Sequence, residues 1–82
     1  MAIDRKRRER IAGKLRAHRA ERGYSQKQVE EACDMNKTRL GTYERGMAGI
    51  TYEKAWDLAD LYGVTLDELG GREAPVSAGD AD

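Results

Sequence analysis

The stretch from Gly23 to Gly46, GYSQKQVEEACDMNKTRLGTYERG, is punctuated so closely that it admits little besides two short helices joined by a turn. Gly23 can adopt the left-handed conformation that ends a preceding helix, and Ser25 with Gln28 three residues later has the form of a capping box. A helix therefore starts at residue 25 or 26. Val29, Ala32 and Cys33 recur along it at i, i+3 and i+4, giving one inward face, until Asp34-Met35-Asn36 breaks the period. Asn36 is a good N-cap for the next helix. There Leu40 and Tyr43 point inward, while Lys37, Thr38, Gly41, Thr42 and Arg45 share an outer face of donors, methyl groups and a glycine, without an acid.

Helical periods flank this unit on both sides. Asp4 is placed to cap a long first helix reaching about Arg22, on which Ile11, Leu15 and His18 recur and Gly13 is a mild defect. Thr51 caps a fourth helix, with Ile50 and Ala55 at the positions of a hydrophobic staple. Tyr52, Ala55, Leu58, Ala59 and Tyr62 form its stripe, and Gly63 ends it. Thr65 and Glu68 make a second capping box for a fifth helix of one or two turns, pinned by Leu66 and Leu69. The expected fold is all-α, a compact five-helix domain over residues 11–70. It is preceded by a basic arm or helix extension (1–10) and followed by an acidic tail without period (71–82), expected to be disordered.

Eighty-two residues support a single small core, with stability of a few kcal/mol. One cysteine rules out an internal disulfide and a cysteine-based metal cage, no apolar run suits a signal peptide or a membrane span, and a cytoplasmic, nucleoid-associated protein is expected. The zero net charge hides a segregation. Residues 1–45 carry 13 Lys/Arg against 7 Asp/Glu, and residues 46–82 carry 2 against 8, so the halves are +6 and −6. A positive half that contains two turn-linked helices is the electrostatic footprint of a protein that neutralises phosphates, which makes double-stranded DNA the expected partner.

From Ile11 to about Gly71 the chain resembles the Cro/C1-type, lambda-repressor-like helix-turn-helix domain. The resemblance is carried by GKLRAHRAERGYSQ in the first helix and cap, TYERG closing the third, and LADLYGVTLDELGG in the fourth and fifth. Within the family its scaffold is similar to the DNA-binding half of BldD-type actinobacterial regulators, whereas Cys33 to Leu40 does not match them. The chain stops where such regulators continue into an effector or dimerisation domain, so a stand-alone binder is expected. The resemblance implies that Gln26 and Lys27, at the first turn of the second helix, meet the DNA backbone, and that Lys37, Thr38 and Thr42 read base edges. Lysine can donate to guanine O6 and N7, and a threonine methyl can pack on thymine. Asn36 could bond adenine, although a capping role suffices for it. Arg39 and Arg45 are expected at phosphates. Arg19 and Glu44 are implied to pair, tying the first helix to the end of the third.

Arg5, Lys6, Arg7 and Arg8 repel one another and the helix dipole, and a phosphate track would relieve both effects. Gly41 costs about 1 kcal/mol of helix propensity relative to alanine, repaid either by close approach to DNA or by room for helix packing. His18 has no companion ligand, and no metal or other cofactor and no small-molecule effector is expected. Cys33 reads as a buried hydrophobe, and Asp34 as a turn residue tolerant of the left-handed conformation. Trp56 falls beside the fourth-helix stripe, half exposed. With Leu66 and Leu69 it is a candidate self-contact for a homodimer that forms in solution or only on DNA. The expected function is a sequence-specific transcriptional regulator, a small repressor or phage-type switch protein. An antitoxin-type regulator that also binds a toxin, and a protein-binding adaptor, are the alternatives. No convergent nucleophile, base and pocket suggests an enzyme.

Overall fold

A computed structural model describes residues 2–72, which form five helices and no strand: α1 (Ala2–Arg22), α2 (Gln26–Ala32), α3 (Arg39–Glu44), α4 (Tyr52–Tyr62) and α5 (Leu66–Gly70). Residues 73–82, most of the expected tail, lie outside the described residues. The expected all-α, five-helix class holds. Local capping chemistry sets most of the boundaries. The Ser25 hydroxyl accepts the Gln28 N–H and the Gln28 side chain accepts the Ser25 N–H, and Thr65 and Glu68 repeat the exchange at α5. Thr51 accepts the Lys54 N–H to open α4, and Gly63, at φ 72°, closes it.

Two boundaries differ from the sequence expectation. α1 begins at Ala2, so Asp4 lies inside its first turn and residues 2–10 are a continuous extension of the helix. Asn36 does not cap α3, because the chain makes one more turn, in which the Arg39 N–H bonds the Asn36 carbonyl, and α3 starts at Arg39. The residue at the N-cap is Thr38, left-handed at φ 68° and making no side-chain cap. The missing cap comes from elsewhere: Glu30 of α2, buried beside Val29, accepts the Leu40 N–H at 3.0 Å. α5 runs through Gly70 and is closed by Gly71, left-handed at φ 74°.

α1 packs against α3, α4 and α5, α2 against α3, and α4 against α5. The shared core is built on Leu15, Val29, Leu40, Leu58, Tyr62 and Leu69, with Cys33, Tyr43 and Ala59 around them. Two stripe assignments fail. Ala32 is exposed and Glu30 takes the inward place in α2, while Tyr52, at the first position of α4, is 66% exposed. Asp34 is left-handed at φ 55°, as its residue type allows. The end of α2 is further held by Lys54 of α4, whose Nζ donates to the carbonyls of Cys33 (2.8 Å) and Asp34 (3.1 Å). Burial pushes the Cys33 thiol pKa up, so it packs as a neutral apolar group. Tyr62 stacks between His18 and Tyr24, and burial raises its pKa as well. His18 Nε2 lies 2.8 Å from the Glu68 carbonyl, a helix-packing role.

Candidate nucleic-acid interface

Glu44, the last residue of α3 and 1% exposed, organises the face that α2 and α3 present. Its carboxylate accepts from Arg19 Nε (Oε2, 2.8 Å), Arg19 Nη2 (Oε1, 3.1 Å) and Gln26 Nε2 (Oε1, 2.9 Å). Arg19 also donates to the Tyr24 carbonyl at 3.0 Å, beyond the end of α1, and Arg16 donates to the Glu44 carbonyl. One carboxylate thus joins α1, α2 and α3, and the bond to Glu44 raises the Arg19 pKa still further, keeping the guanidinium charged. Because the only acid of α3 is turned inward and paired, the side chains α3 leaves outward bring no negative charge to this face.

Gly41 does not share the outer face with Lys37, Thr38 and Thr42. It is buried, and a methyl group at its Cα would stand 3.2 Å from the Arg45 guanidinium and 3.4 Å from the Gln26 amide oxygen. Leu40 and Tyr43 face inward as expected, and Gly41 is buried because the Arg45 side chain, four residues on, and Gln26 of α2 lie over it. The glycine therefore makes room for them. Gly41→Ala should add about 1 kcal/mol of helix stability while displacing the tips of Arg45 and Gln26. The expected result is a melting temperature a few degrees higher together with weaker binding to DNA. A variant of unchanged affinity would show that neither tip contributes.

Lys37 and Asn36 are exposed in the turn before α3, and Thr38 is exposed at its start. Thr42 is half-buried, and its hydroxyl donates to the Thr38 carbonyl at 3.2 Å, which leaves its methyl group as the part free for another contact. Lys27 and Gln26 are exposed at the first turn of α2, and Arg39 is exposed with its guanidinium 5.9 Å from the centre of the Tyr43 ring. Of the four cations at the start of α1, Arg8 lies with its side chain against Gly46 and Gly49 in the loop after α3. Lys6 turns instead toward a groove between α1, α4 and α5, and Arg7 borders both regions. Arg16, Glu30 and Lys54 have roles that the sequence did not reveal, since each bonds a backbone group 10 to 28 residues away. Only Glu30 gave a signal, an acid adjacent to the inward-facing Val29.

Two short helices held at a fixed angle by a buried carboxylate, with cations and hydroxyls outward, define a helix-turn-helix of the DNA-binding class. Residues 15–69 match the helix-turn-helix family of the Cro/C1 type, and the chain belongs to that family. It is accordingly a DNA-binding transcriptional regulator of the Cro/C1 type. No curated protein and no solved structure matches the chain. Among the described residues, no helix is long and apolar enough to cross a membrane, and no three His, Cys, Asp or Glu residues cluster as a metal site.

Proposed function

We propose that the chain is a small repressor or phage-type switch protein that occupies a two-fold operator, with α3 in the major groove. The observation that carries the proposal is the disposition of charge at α3. Its acid is consumed by Arg19 and Gln26, while Lys37, Thr38, Thr42 and Arg45 remain available to DNA. Lys37, Thr38 and Thr42 read base edges in this scheme. Asn36, having no capping role, joins them as a candidate partner for adenine. Gln26, Lys27, Arg39 and Arg45 hold phosphates, together with Arg5, Lys6, Arg7 and Arg8 along the basic start of α1. The scaffold similarity to BldD-type regulators supports the docking mode and not the sequence read, because the turn and the start of α3 differ.

Two-fold operators call for two copies, and the self-contact is narrower than the sequence suggested. Leu69 is 3% exposed and belongs to the core, whereas Trp56 is 52% exposed and Leu66 is half-buried. Selecting bound duplexes from a random pool tests the proposal directly. The expected outcome is enrichment of one inverted repeat with half-sites about one helical turn apart. A pool that enriches nothing would overturn it.

A further inference from the structure

A groove of about 860 Å³ opens between the start of α1, the start of α4, and α5, and no residue of α2 or α3 lines it. Its floor is apolar, with Ile11, Ile50, Ala55 and Leu66 above the core residue Leu69. Its rim is basic. Lys6, Arg7 and Arg10 face it from α1, and Arg72 from beyond α5, against one acid, Asp67, that Arg72 approaches at 3.5 Å. An apolar floor under a positive rim suits an occupant that is itself apolar in part and acidic in part. The described chain ends at Arg72, on the edge of this groove. The ten residues that follow, EAPVSAGDAD, hold Glu73, Asp80 and Asp82 without a cation, and Ala74, Pro75 and Val76 between them.

We propose that residues 73–82 run back along this groove, with Ala74, Pro75 and Val76 on the apolar floor and the three acids at the basic rim. The segment meets the groove at its own first residue, because Arg72 stands on the rim, so a short tether holds it there at high effective concentration. Its charge is opposite to that of the rim. Arg72 also borders a smaller hollow beside Lys14, His18 and Val64, but there Asp67 and Glu68 set two acids against the cations Lys14 and Arg72. The groove sets four cations against one acid, and an acidic segment is drawn to it. Pro75 disfavours helical backbone at Ala74, which suits the segment to an extended path. In this position it covers Lys6, Arg7 and Arg10, and phosphate must displace it to reach them. The chain thereby carries its own competitor for DNA of any sequence, a consequence that rests on the reading of the α1 start as a phosphate contact. Arg5 and Arg8 do not border the groove and remain open to phosphate.

The docking is tested on the full chain without DNA, so that its failure is separate from any failure of DNA recognition. A Ser77→Cys variant carries a nitroxide label, and the wild type taken through the same reaction is the blank, since buried Cys33 is held neutral and inert. Position 77 lies five residues past Arg72, at most about 18 Å of extended chain. Paramagnetic broadening of amide signals is expected at Ile50, Ala55 and Leu66, and much less at Lys14, His18 and Val64 on the other side of Arg72. Lys6→Gln/Arg10→Gln, at exposed positions of α1, should reduce the broadening at Ile50 and Ala55 by about threefold or more. Unchanged melts confirm that the fold is kept. Equal broadening on the two sides of Arg72, or broadening at Ile50 and Ala55 that survives Lys6→Gln/Arg10→Gln, would overturn the docking and leave the groove to an acidic segment of another protein. The competition is read separately on scrambled duplex. Glu73→Gln/Asp80→Asn/Asp82→Asn should tighten binding about threefold or more in the otherwise wild-type chain and change it little in the Lys6→Gln/Arg10→Gln chain. An equal gain in both backgrounds, which is a general effect of net charge, or no gain in either would overturn the competition.

Discussion

Glu44→Ala is expected to destabilise the domain by about 3 kcal/mol, the lower end of what breaking a buried ion pair costs. The lower end applies because Arg19 keeps 22% side-chain exposure and a bond to the Tyr24 carbonyl, whereas the Glu44 side chain keeps only 2%. The loss extends beyond one pair. Gln26 Nε2 and two guanidinium donors are left without their acceptor, and the tie between α1, α2 and α3 goes with them. In a domain of this size each kcal/mol moves the melting temperature by about 4–8 °C, so a fall of roughly 12–24 °C is expected in a thermal melt. DNA binding falls with it. A variant melting within a degree or two of wild type would reject the structural role of Glu44.

Lys37→Ala should separate reading from holding. If Lys37 donates to guanine, the variant loses ~1–3 kcal/mol at the operator and far less on scrambled DNA, with relaxed preference at one base position. Removal of Arg5 and Arg8 should act otherwise. Charges that contribute by counterion release weaken operator and scrambled duplex alike, and their removal flattens the dependence of log K on log salt by ~0.9 for each phosphate no longer neutralised. Titration of both duplexes at several salt concentrations checks the two variants side by side. Equal losses on both duplexes for Lys37→Ala would remove it from base reading, and an unchanged slope for Arg5→Ala/Arg8→Ala would make the basic helix start a solvated surface.

The parts of this fold that were legible in sequence are those decided within about five residues. Ser25 with Gln28, Thr65 with Glu68, Thr51 and Gly63 act on backbone groups in their own turn, and each sits at its expected boundary. Leu15, Val29, Leu40, Leu58 and Tyr62 were likewise given by period alone, because a full turn of neighbours fixes the inward side. The failures share a cause. Asn36 as a cap, Gly41 as an outer residue and Leu69 as part of a self-contact all depended on how one helix is set against another. The start of α3 is set by two left-handed residues, Asp34 and Thr38, and by a carboxylate from α2. A β-branched residue in that conformation is uncommon enough that no pattern would have placed it there. At the candidate site, the Arg19–Glu44 partnership came from the family resemblance. The addition of Gln26 to it required the geometry.

The carboxylate of Glu30, which accepts the Leu40 N–H, has a consequence for how such a protein can change its target. A recognition helix capped by its own first residues must keep a capping side chain there, so any change of sequence preference is constrained by folding. Here that duty is met from the neighbouring helix, by a residue buried in the domain. Asn36, Lys37 and Arg39 are thereby released from it and can be exchanged for other side chains at little cost to the domain. Only Thr38 carries a conformational restriction, which asparagine or glycine would meet more easily. With α3 reading DNA as proposed, the fold keeps its vocabulary and its grammar on separate residues, and a new operator could be acquired by rewriting the first without touching the second.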